Sequence, residues 1–219
     1  MITRRDFIAS TSGLAVTAAM LAVADFGTLS QALAQGAAPS SAELMMAGPL
    51  GEQSIGNADA PVTVIEYASM TCGHCAAFHN NTYPELKKRY IDTGKVRYIL
   101  REFPLDPLAA GAFMLARCAG EGKYFPLVET LFQQQAQWVV QQPIEPLLKI
   151  ARQAGFSQAS FDACLKDQKM LEGIEWVRNR GSDKFGVNST PTFFINGKMH
   201  RGGMSIDELA KVIDPLLKA

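Results

Sequence analysis

Hydrophobic and polar positions follow two kinds of pattern, which predict strands on both sides of a helical middle part. Residues 61–67 (PVTVIEY) bring apolar and β-branched side chains close together, as in a buried central strand. A helical pattern follows over residues 72–90, in which Pro84 predicts a kink, and residues 95–103 (KVRYILREF) predict the next strand. Because a helical crossover joins parallel strands, we predict a β-α-β unit.

The middle of the chain has no strand pattern. Pro107 opens a helix rich in Ala, Leu and Met that ends near Gly120. Further helical pieces are predicted at residues 124–138, 143–154, 157–165 and 168–185. Residues 105–186 are therefore predicted to form an all-helical insertion.

The last part of the chain returns to strands. Residues 192–195 predict a strand, and the following Asn196-Gly197 pair is typical of the tight turn of a hairpin. A capping box that begins at Ser205 opens a final amphipathic helix. Residues 187–219 are thus predicted to form a β-β-α unit.

The first 34 residues have the parts of an export signal. A charged start with Arg4-Arg5 precedes an Ala-rich, uncharged stretch, and Ala32-Leu33-Ala34 resembles a cleavage site, so we expect cleavage after Ala34. The twin arginine resembles a Tat-type signal, and Sec export remains open. A membrane anchor is disfavoured, because the apolar stretch is shorter than the about 20 residues that a span needs.

Export would place the mature chain in the periplasm, an oxidising compartment in which disulfides persist. Residues 35–60 are rich in Ala, Ser, Gly and Pro, and they predict an N-terminal tail laid against the folded domain. The 219-residue chain is 47% hydrophobic and 19% charged, which excludes a disordered or fibrous protein. Its 21 basic and 21 acidic residues balance, so nothing predicts binding to nucleic acid.

The sequence Cys72-Gly73-His74-Cys75 carries the predicted chemistry. A helix that begins with C-x-x-C directly after a strand places the first sulfur beside unpaired backbone N–H groups, which favour a thiolate. Cys72 is therefore the expected nucleophile, and Cys75, almost one turn further along, is its shielded partner. His74 is expected to stabilise the thiolate.

Other readings of the motif fail on spacing. A zinc ribbon needs a second close pair, whereas Cys118 and Cys164 are far apart, and haem attachment needs a histidine where Ala76 stands. No metal or organic cofactor is predicted, because the cysteine pair is itself the redox centre. The two other histidines, His79 and His200, are expected at the surface.

The segment VIEYASMTCGHC, together with TPTFFING far downstream, resembles the thioredoxin superfamily. The helical insertion narrows the resemblance to DsbA-like thiol-disulfide oxidoreductases, and it covers roughly residues 50–219. It implies an α/β thioredoxin fold with β-α-β and β-β-α halves around one central sheet. Residues 61–104 and 187–219 would form the thioredoxin-like domain, and the inserted all-helical lobe at residues 105–186 would cap the active site.

The resemblance also implies roles for individual residues. Thr190-Pro191 matches the loop whose proline is cis and whose backbone receives an extended substrate peptide. Glu66 matches a buried acid that helps to move the proton of the inner cysteine, and a surface-pointing Glu66 is the alternative. Gly73 departs from the proline of many oxidising DsbA proteins, and Gly-His resembles protein disulfide isomerase.

Cys118 and Cys164 lie on different predicted helices of the insertion. In an oxidising compartment two such cysteines are expected to pair in a structural disulfide, and some DsbA-like proteins of alphaproteobacterial type carry one in this lobe. Two buried free thiols are the alternative.

The expected function is that of a periplasmic oxidoreductase that donates the Cys72–Cys75 disulfide to unfolded exported proteins with free cysteines. The resemblance implies a DsbB-type membrane protein as reoxidant, and we expect a monomer. A disulfide isomerase or reductase, kept reduced by a membrane electron donor, is the first alternative. The second is a non-catalytic chaperone or copper carrier, for which Met70, His74 and His79 are the candidate ligands.

Overall fold

The computed structural model describes residues 41–218. The predicted export signal, residues 1–34 with cleavage after Ala34, lies outside the described residues, as does the start of the predicted tail. Between residues 41 and 218 no helix combines the length and the apolar character that crossing a bilayer requires.

The described residues form one five-stranded mixed sheet with the strand order β1-β3-β2-β4-β5. Strands β2 and β3 are parallel, as predicted, and every other neighbouring pair is antiparallel. The predicted α/β thioredoxin fold is confirmed. The strands are β1 (Gln53–Ile55), β2 (Val62–Ala68), β3 (Val96–Glu102), β4 (Thr192–Ile195) and β5 (Lys198–Arg201).

Helices cover both faces and continue into a purely helical region. The helices are α1 (Ser41–Leu44), α2 (Gly73–Asn81), α3 (Tyr83–Leu86), α4 (Pro107–Cys118), α5 (Tyr124–Gln133), α6 (Gln135–Trp138), α7 (Ile144–Gln153), α8 (Gln158–Leu165), α9 (Gln168–Phe185) and α10 (Ile206–Leu216), with a π-helical turn at Lys87–Ile91.

The helix predicted after β2 is interrupted where its sequence indicates. Helix α2 ends at Asn81, Thr82 separates it from α3, and Pro84 lies in the first turn of α3, where its missing N–H leaves no helical bond unmade. The π-helical turn follows α3 directly and precedes β3. The predicted kink is thus a short break between two helices.

Between Pro107 and Phe185 the structure has helices and no strand. Capping side chains define their starts: Asp106 accepts from the Ala109 N–H, and Ser157 and Asp167 cap α8 and α9. The pattern that predicted one helix over residues 124–138 gives two helices, α5 and α6. The boundaries of a separate helical lobe at residues 105 and 186 stay a prediction.

The segment predicted as a tail contributes the edge strand β1. Its residues pair antiparallel with β3, and Ile55 lies opposite Tyr98. Two buried arginines hold the preceding chain: Arg101 donates to Glu52 at 2.8 Å, and Arg117 donates to the Leu50 carbonyl at 3.0 Å. No sequence pattern predicts this strand, because three residues with one apolar side chain are too short for a strand pattern.

One continuous apolar core joins the sheet to the helical region. It contains Val64 of β2 and Leu100 of β3, Phe113 of α4, Phe132 of α5 and Phe161 of α8, all of them almost fully buried. Because these side chains pack without interruption, the helical region has a fixed position relative to the strand that leads to Cys72.

Cys118 at the end of α4 and Cys164 in α8 form a disulfide across the helical region, with their Cα atoms 6.2 Å apart. The bond joins positions separated by 46 residues. Cys164 is buried and Cys118 is half-buried.

Replacing both Cys118 and Cys164 by alanine is expected to lower the free energy of unfolding by about 2–4 kcal/mol, because the crosslink restricts the unfolded chain. Urea unfolding followed by circular dichroism measures the difference, in a background in which Cys72 and Cys75 are both serine. An unchanged unfolding midpoint and slope would show that the crosslink does not stabilise the fold.

Candidate active site

The motif lies where β2 ends and α2 begins. Cys72 is the N-cap of α2, with extended backbone angles (φ −79°, ψ 120°). Its N–H donates to the Ser69 carbonyl at 3.1 Å, and its carbonyl accepts the first helical hydrogen bond from Ala76 at 3.1 Å. The sulfur therefore lies at the end of the helix where backbone N–H groups lack helical partners.

This position favours the thiolate of Cys72. Its pKa is lowered from the ordinary value of 9.0 to about 5, first by the hydrogen bond from the Cys75 thiol, against the opposing effect of burial. The nearby backbone N–H groups of Cys75 and His74 lower this pKa further. Cys72 is half-buried, so its sulfur is accessible and can act as a nucleophile.

The second cysteine of the motif has the opposite environment. Cys75 is fully buried, and burial raises the pKa of its thiol well above the ordinary range. The hydrogen bond that it donates to Cys72 and the negative charge of Glu66 raise this pKa further. The two environments thus favour a thiolate at Cys72 and a protonated thiol at Cys75.

The His74 side chain is exposed. What reaches Cys72 is the backbone N–H of His74, which lowers the pKa of the cysteine. The proposed effect of the imidazole on the thiolate stays a prediction.

The loop before β4 lies beside Cys72. The Thr190-Pro191 peptide bond is cis, and the Cys72 thiol donates to the Thr190 carbonyl at 3.4 Å. Thr192, the first residue of β4, anchors this loop by donating from its hydroxyl to the Ser189 carbonyl at 2.7 Å. The loop and the motif, 118 positions apart in the chain, thus form one site.

Glu66 is fully buried in β2, which excludes the surface-pointing alternative. Its Oε2 accepts from the Tyr98 hydroxyl of β3 and lies 3.2 Å from Nε2 of His79. Its Oε1 is buried and has no hydrogen-bond partner among the described residues. A carboxyl group is thus held close enough to Cys75 to affect the pKa of the thiol.

The expectation that His79 lies at the surface is wrong. Its side chain is buried, pairs with Glu66 and stacks on Phe132 with ring centroids 4.2 Å apart. The reason is helical spacing, since His79 follows Cys75 by four residues and shares its buried face of α2. His200 is half-buried on β5, where burial lowers the pKa of its imidazole.

Two residues that the sequence analysis did not single out contact the loop that carries Cys72. Gln135 of α6 donates to the carbonyls of Met70 and Cys72 at 2.8 and 3.0 Å. Asp106 accepts from the Thr71 hydroxyl at 2.6 Å. Neither contact had a sequence signal, because 65 and 35 positions separate Gln135 from Met70 and Asp106 from Thr71.

A groove of about 840 Å³ adjoins this loop through Asp106 and is lined mostly by apolar side chains. Leu105 and Ile144 on its walls are each more than half exposed. Its apolar lining includes Leu105, Pro107, Met114, Ile144, Leu147 and Leu171.

Residues 41–218 contain no group of three or more His, Cys, Asp or Glu side chains that could hold a metal ion. Of the candidate ligands for a metal carrier, Met70 is fully buried in the core and His79 is paired with Glu66.

The chain resembles known proteins over most of its length. A family model described as "Thioredoxin" matches residues 50–215. Putative protein-disulfide oxidoreductases of Rickettsia felis and Rickettsia bellii are 35% identical over 166 residues, which is 75% of this chain but 59% and 64% of theirs. This chain thus spans about three-fifths of the length of these curated relatives. The crystal structure of Wolbachia pipientis alpha-DsbA1 is 34% identical, with a TM-score of 0.76 over 82% of this chain and 96% of that one.

Replacing Cys75 by alanine is expected to raise the pKa of Cys72 by about 1–2 units, because the thiolate loses its strongest hydrogen-bond donor. Titration of the ultraviolet absorbance of the thiolate in the reduced protein measures this pKa. The control is Cys75→Ser, which retains a donor and is expected to stay closer to the wild type. Equal values in both variants and the wild type would mean that Cys75 does not stabilise the thiolate.

Proposed function

We propose that this chain, which belongs to the thioredoxin family and has DsbA-like relatives, is a thiol-disulfide oxidoreductase. In this function it donates the Cys72–Cys75 disulfide to unfolded, exported proteins. The observation that carries the proposal is the contrast between the two cysteines: Cys72 is half-buried at the start of α2, where its pKa is lowered to about 5, and Cys75 is fully buried, which raises its pKa. A stable Cys72 thiolate favours the reduced pair, and so makes the disulfide a donor. The Rickettsia relative is named as a putative protein-disulfide oxidoreductase and the Wolbachia relative as a DsbA protein, which agrees with this chemistry.

Donation proceeds in two exchanges. A substrate thiolate attacks Sγ of Cys72 in the disulfide, the Cys72–Cys75 bond breaks, and Cys75 leaves as a thiolate that takes up a proton. A second substrate thiolate then attacks the substrate sulfur of the mixed disulfide, and Cys72 leaves as its stabilised thiolate. The substrate loses two electrons, and the cysteine pair gains them.

Glu66 is proposed to exchange the proton of Cys75. It is a buried carboxyl near the thiol, and its Oε1 has no hydrogen-bond partner in the described part of the chain. His79 and Tyr98 hold its other oxygen, Oε2, so the carboxyl keeps one orientation. A general acid–base group in this position lets Cys75 leave without a lasting buried charge.

The substrate is proposed to bind as an extended peptide beside Cys72. The backbone of Thr190 lies next to the sulfur and could pair with a peptide in β fashion. The apolar groove behind Asp106 suits the exposed hydrophobic side chains of a protein that has not yet folded. Both features point to unfolded polypeptides as the substrate class.

The cellular setting of the proposal rests on the N-terminal sequence and on the resemblance. Export through the signal at residues 1–34 places the protein in the periplasm. A DsbB-type membrane protein would return the reduced cysteine pair to the disulfide after each donation. The protein is proposed to act as a monomer.

An isomerase or reductase is the second candidate, because Gly73 stands where many oxidising relatives have proline. Gly73 is exposed, and nothing lies within 4 Å of the position that an added Cβ would occupy. Packing therefore does not require glycine at position 73. The effect of the Gly73-His74 pair on the reduction potential is what separates the isomerase or reductase from the oxidase.

A single-turnover assay distinguishes the two functions. Oxidised protein, mixed with an equal amount of a reduced unfolded protein that has two cysteines, is expected to transfer one disulfide per molecule. Cys72→Ala is expected to abolish the transfer, because the attacked sulfur is lost, and the Cys118→Ala, Cys164→Ala double variant serves as the control. Thiol counting by mass spectrometry reads out the transfer. Slow transfer, combined with fast rearrangement of a scrambled substrate by the reduced protein, would instead establish the isomerase.

Glu66→Gln is expected to slow attack by Cys75 on a mixed disulfide between Cys72 and glutathione by about 100-fold, because no group then accepts the thiol proton. Stopped-flow release of glutathione measures this step, and exposed Glu85→Gln is the matched control. Loss of the negative charge alone would lower the pKa of Cys75 and speed the step. An unchanged or faster release would therefore contradict the proton-transfer role.

A further inference from the structure

The amide of Gln135 makes two hydrogen bonds to the backbone of the active-site loop. Its Nε2 donates to the Met70 carbonyl at 2.8 Å and to the Cys72 carbonyl at 3.0 Å. These two carbonyls flank Thr71, so a single side chain binds the loop immediately before the helix. Gln135 itself comes from the helical region, and its own side chain is half-buried.

The helix that carries Gln135 has a fixed position. Trp138, the last residue of α6, is fully buried, and its indole N–H donates to the Leu131 carbonyl of α5 at 2.8 Å. Helix α5 is in turn bound to α2, because the Asn80 amide donates to the Phe132 carbonyl at 3.3 Å. The Gln135 amide therefore approaches the loop from a rigid support.

The carbonyl that Gln135 binds belongs to the residue whose sulfur reacts. At an N-cap, the ψ angle determines where the side chain lies relative to the first turn of the helix. At Cys72 this angle is 120°, and the nearby backbone N–H groups of His74 and Cys75, the second and third residues of α2, lower the pKa of the thiol. Because ψ also sets the direction of the Cys72 carbonyl, a bond that fixes this carbonyl fixes the direction of the Cα–Cβ bond that carries the sulfur relative to the first turn of α2.

A second contact from the helical region holds the same loop at a different point. Asp106 accepts from the Thr71 hydroxyl with Oδ2, and it caps α4 with Oδ1, which accepts from the Ala109 N–H at 2.8 Å. This contact fixes a side chain of the loop, and it leaves the Cys72 carbonyl to Ala76 and Gln135. Among these contacts from the helical region, only Gln135 acts on the nucleophile's own peptide group.

We propose that Gln135 is a positioning residue that holds Cys72 in the N-cap geometry its thiolate requires. Through this amide the helical region sets the reactivity of a sulfur in the thioredoxin-like part of the chain. The inference deepens the proposed function and rests on it for the role of Cys72 as nucleophile. The hydrogen bonds themselves, and their effect on the thiolate, do not depend on which substrate the protein oxidises.

The test is Gln135→Met, which retains the length of the side chain and removes both donors. The pKa of Cys72, measured by thiolate absorbance, is expected to rise by about half a unit to one unit. The equilibrium with reduced and oxidised glutathione is expected to shift about three- to tenfold towards the protein disulfide, because a less stable thiolate disfavours the reduced pair. Gln137→Met is the matched control, since Gln137 is exposed on the same helix.

If folded Gln135→Met has the wild-type pKa of Cys72 and the wild-type equilibrium with glutathione, the inference is wrong. This holds even if the variant melts at a lower temperature, because Gln135 would then contribute to stability alone. If that variant does not fold, Gln135→Asn provides the same test, since its amide is one methylene too short to reach both carbonyls. A wild-type pKa in Gln135→Asn would overturn the inference as well. A protein that fails to oxidise reduced peptides, but in which Gln135 still controls the pKa of Cys72, would contradict the proposed function alone.

Discussion

The site depends on a sulfur that occupies the N-cap of a helix. The first backbone N–H groups of α2 have no helical acceptor, and those of His74 and Cys75 lie close enough to the Cys72 sulfur to lower its pKa. These N–H dipoles stabilise the charged thiolate more than the neutral thiol, so the helix start favours the thiolate. Strand β2 leads directly to this helix start, and the Thr190 carbonyl lies beside the Cys72 sulfur. The helical region contacts the loop that carries Cys72 through Gln135, which donates to the Cys72 carbonyl.

The second requirement is that the two cysteines differ. Their spacing places Cys75 within the first turn of α2, where the core of sheet and helices removes it from water. Because burial of a charge is unfavourable, Cys75 stays protonated at a pH at which Cys72 loses its proton. A buried thiol can react only if something moves that proton, and the carboxyl of Glu66, held by Tyr98 and His79, is the group in place to do so.

The sequence was sufficient for the parts of this arrangement that depend on local spacing. The C-x-x-C motif at a strand–helix junction, the parallel strands beside it and the turn at Asn196-Gly197 all follow from short patterns, and the structure contains each of them. The burial of Glu66 followed from the resemblance. In contrast, the surface position predicted for His79 is wrong, because one polar residue in a weakly amphipathic helix does not reveal which face it occupies.

Long-range contacts were beyond the reach of the sequence pattern. Gln135 lies in a run of three glutamines within the helical piece predicted at residues 124–138, and the packing of Trp138 holds the helix from which its amide reaches the Cys72 carbonyl. Strand β1 is also not predicted by the sequence, because its three residues form a strand only through their pairing with β3. Residues fixed by tertiary packing, rather than by their neighbours in sequence, account for what was missed.

The reduction potential of the Cys72–Cys75 pair tests the account most directly. Glutathione titration with site-resolved thiol trapping measures it without interference from the Cys118–Cys164 disulfide. A thiolate stabilised as described makes the reduced pair the favoured one, and predicts a potential well above that of the glutathione couple. A potential near or below that couple would contradict the account, and would mean that the protein works as an isomerase or reductase that is kept reduced.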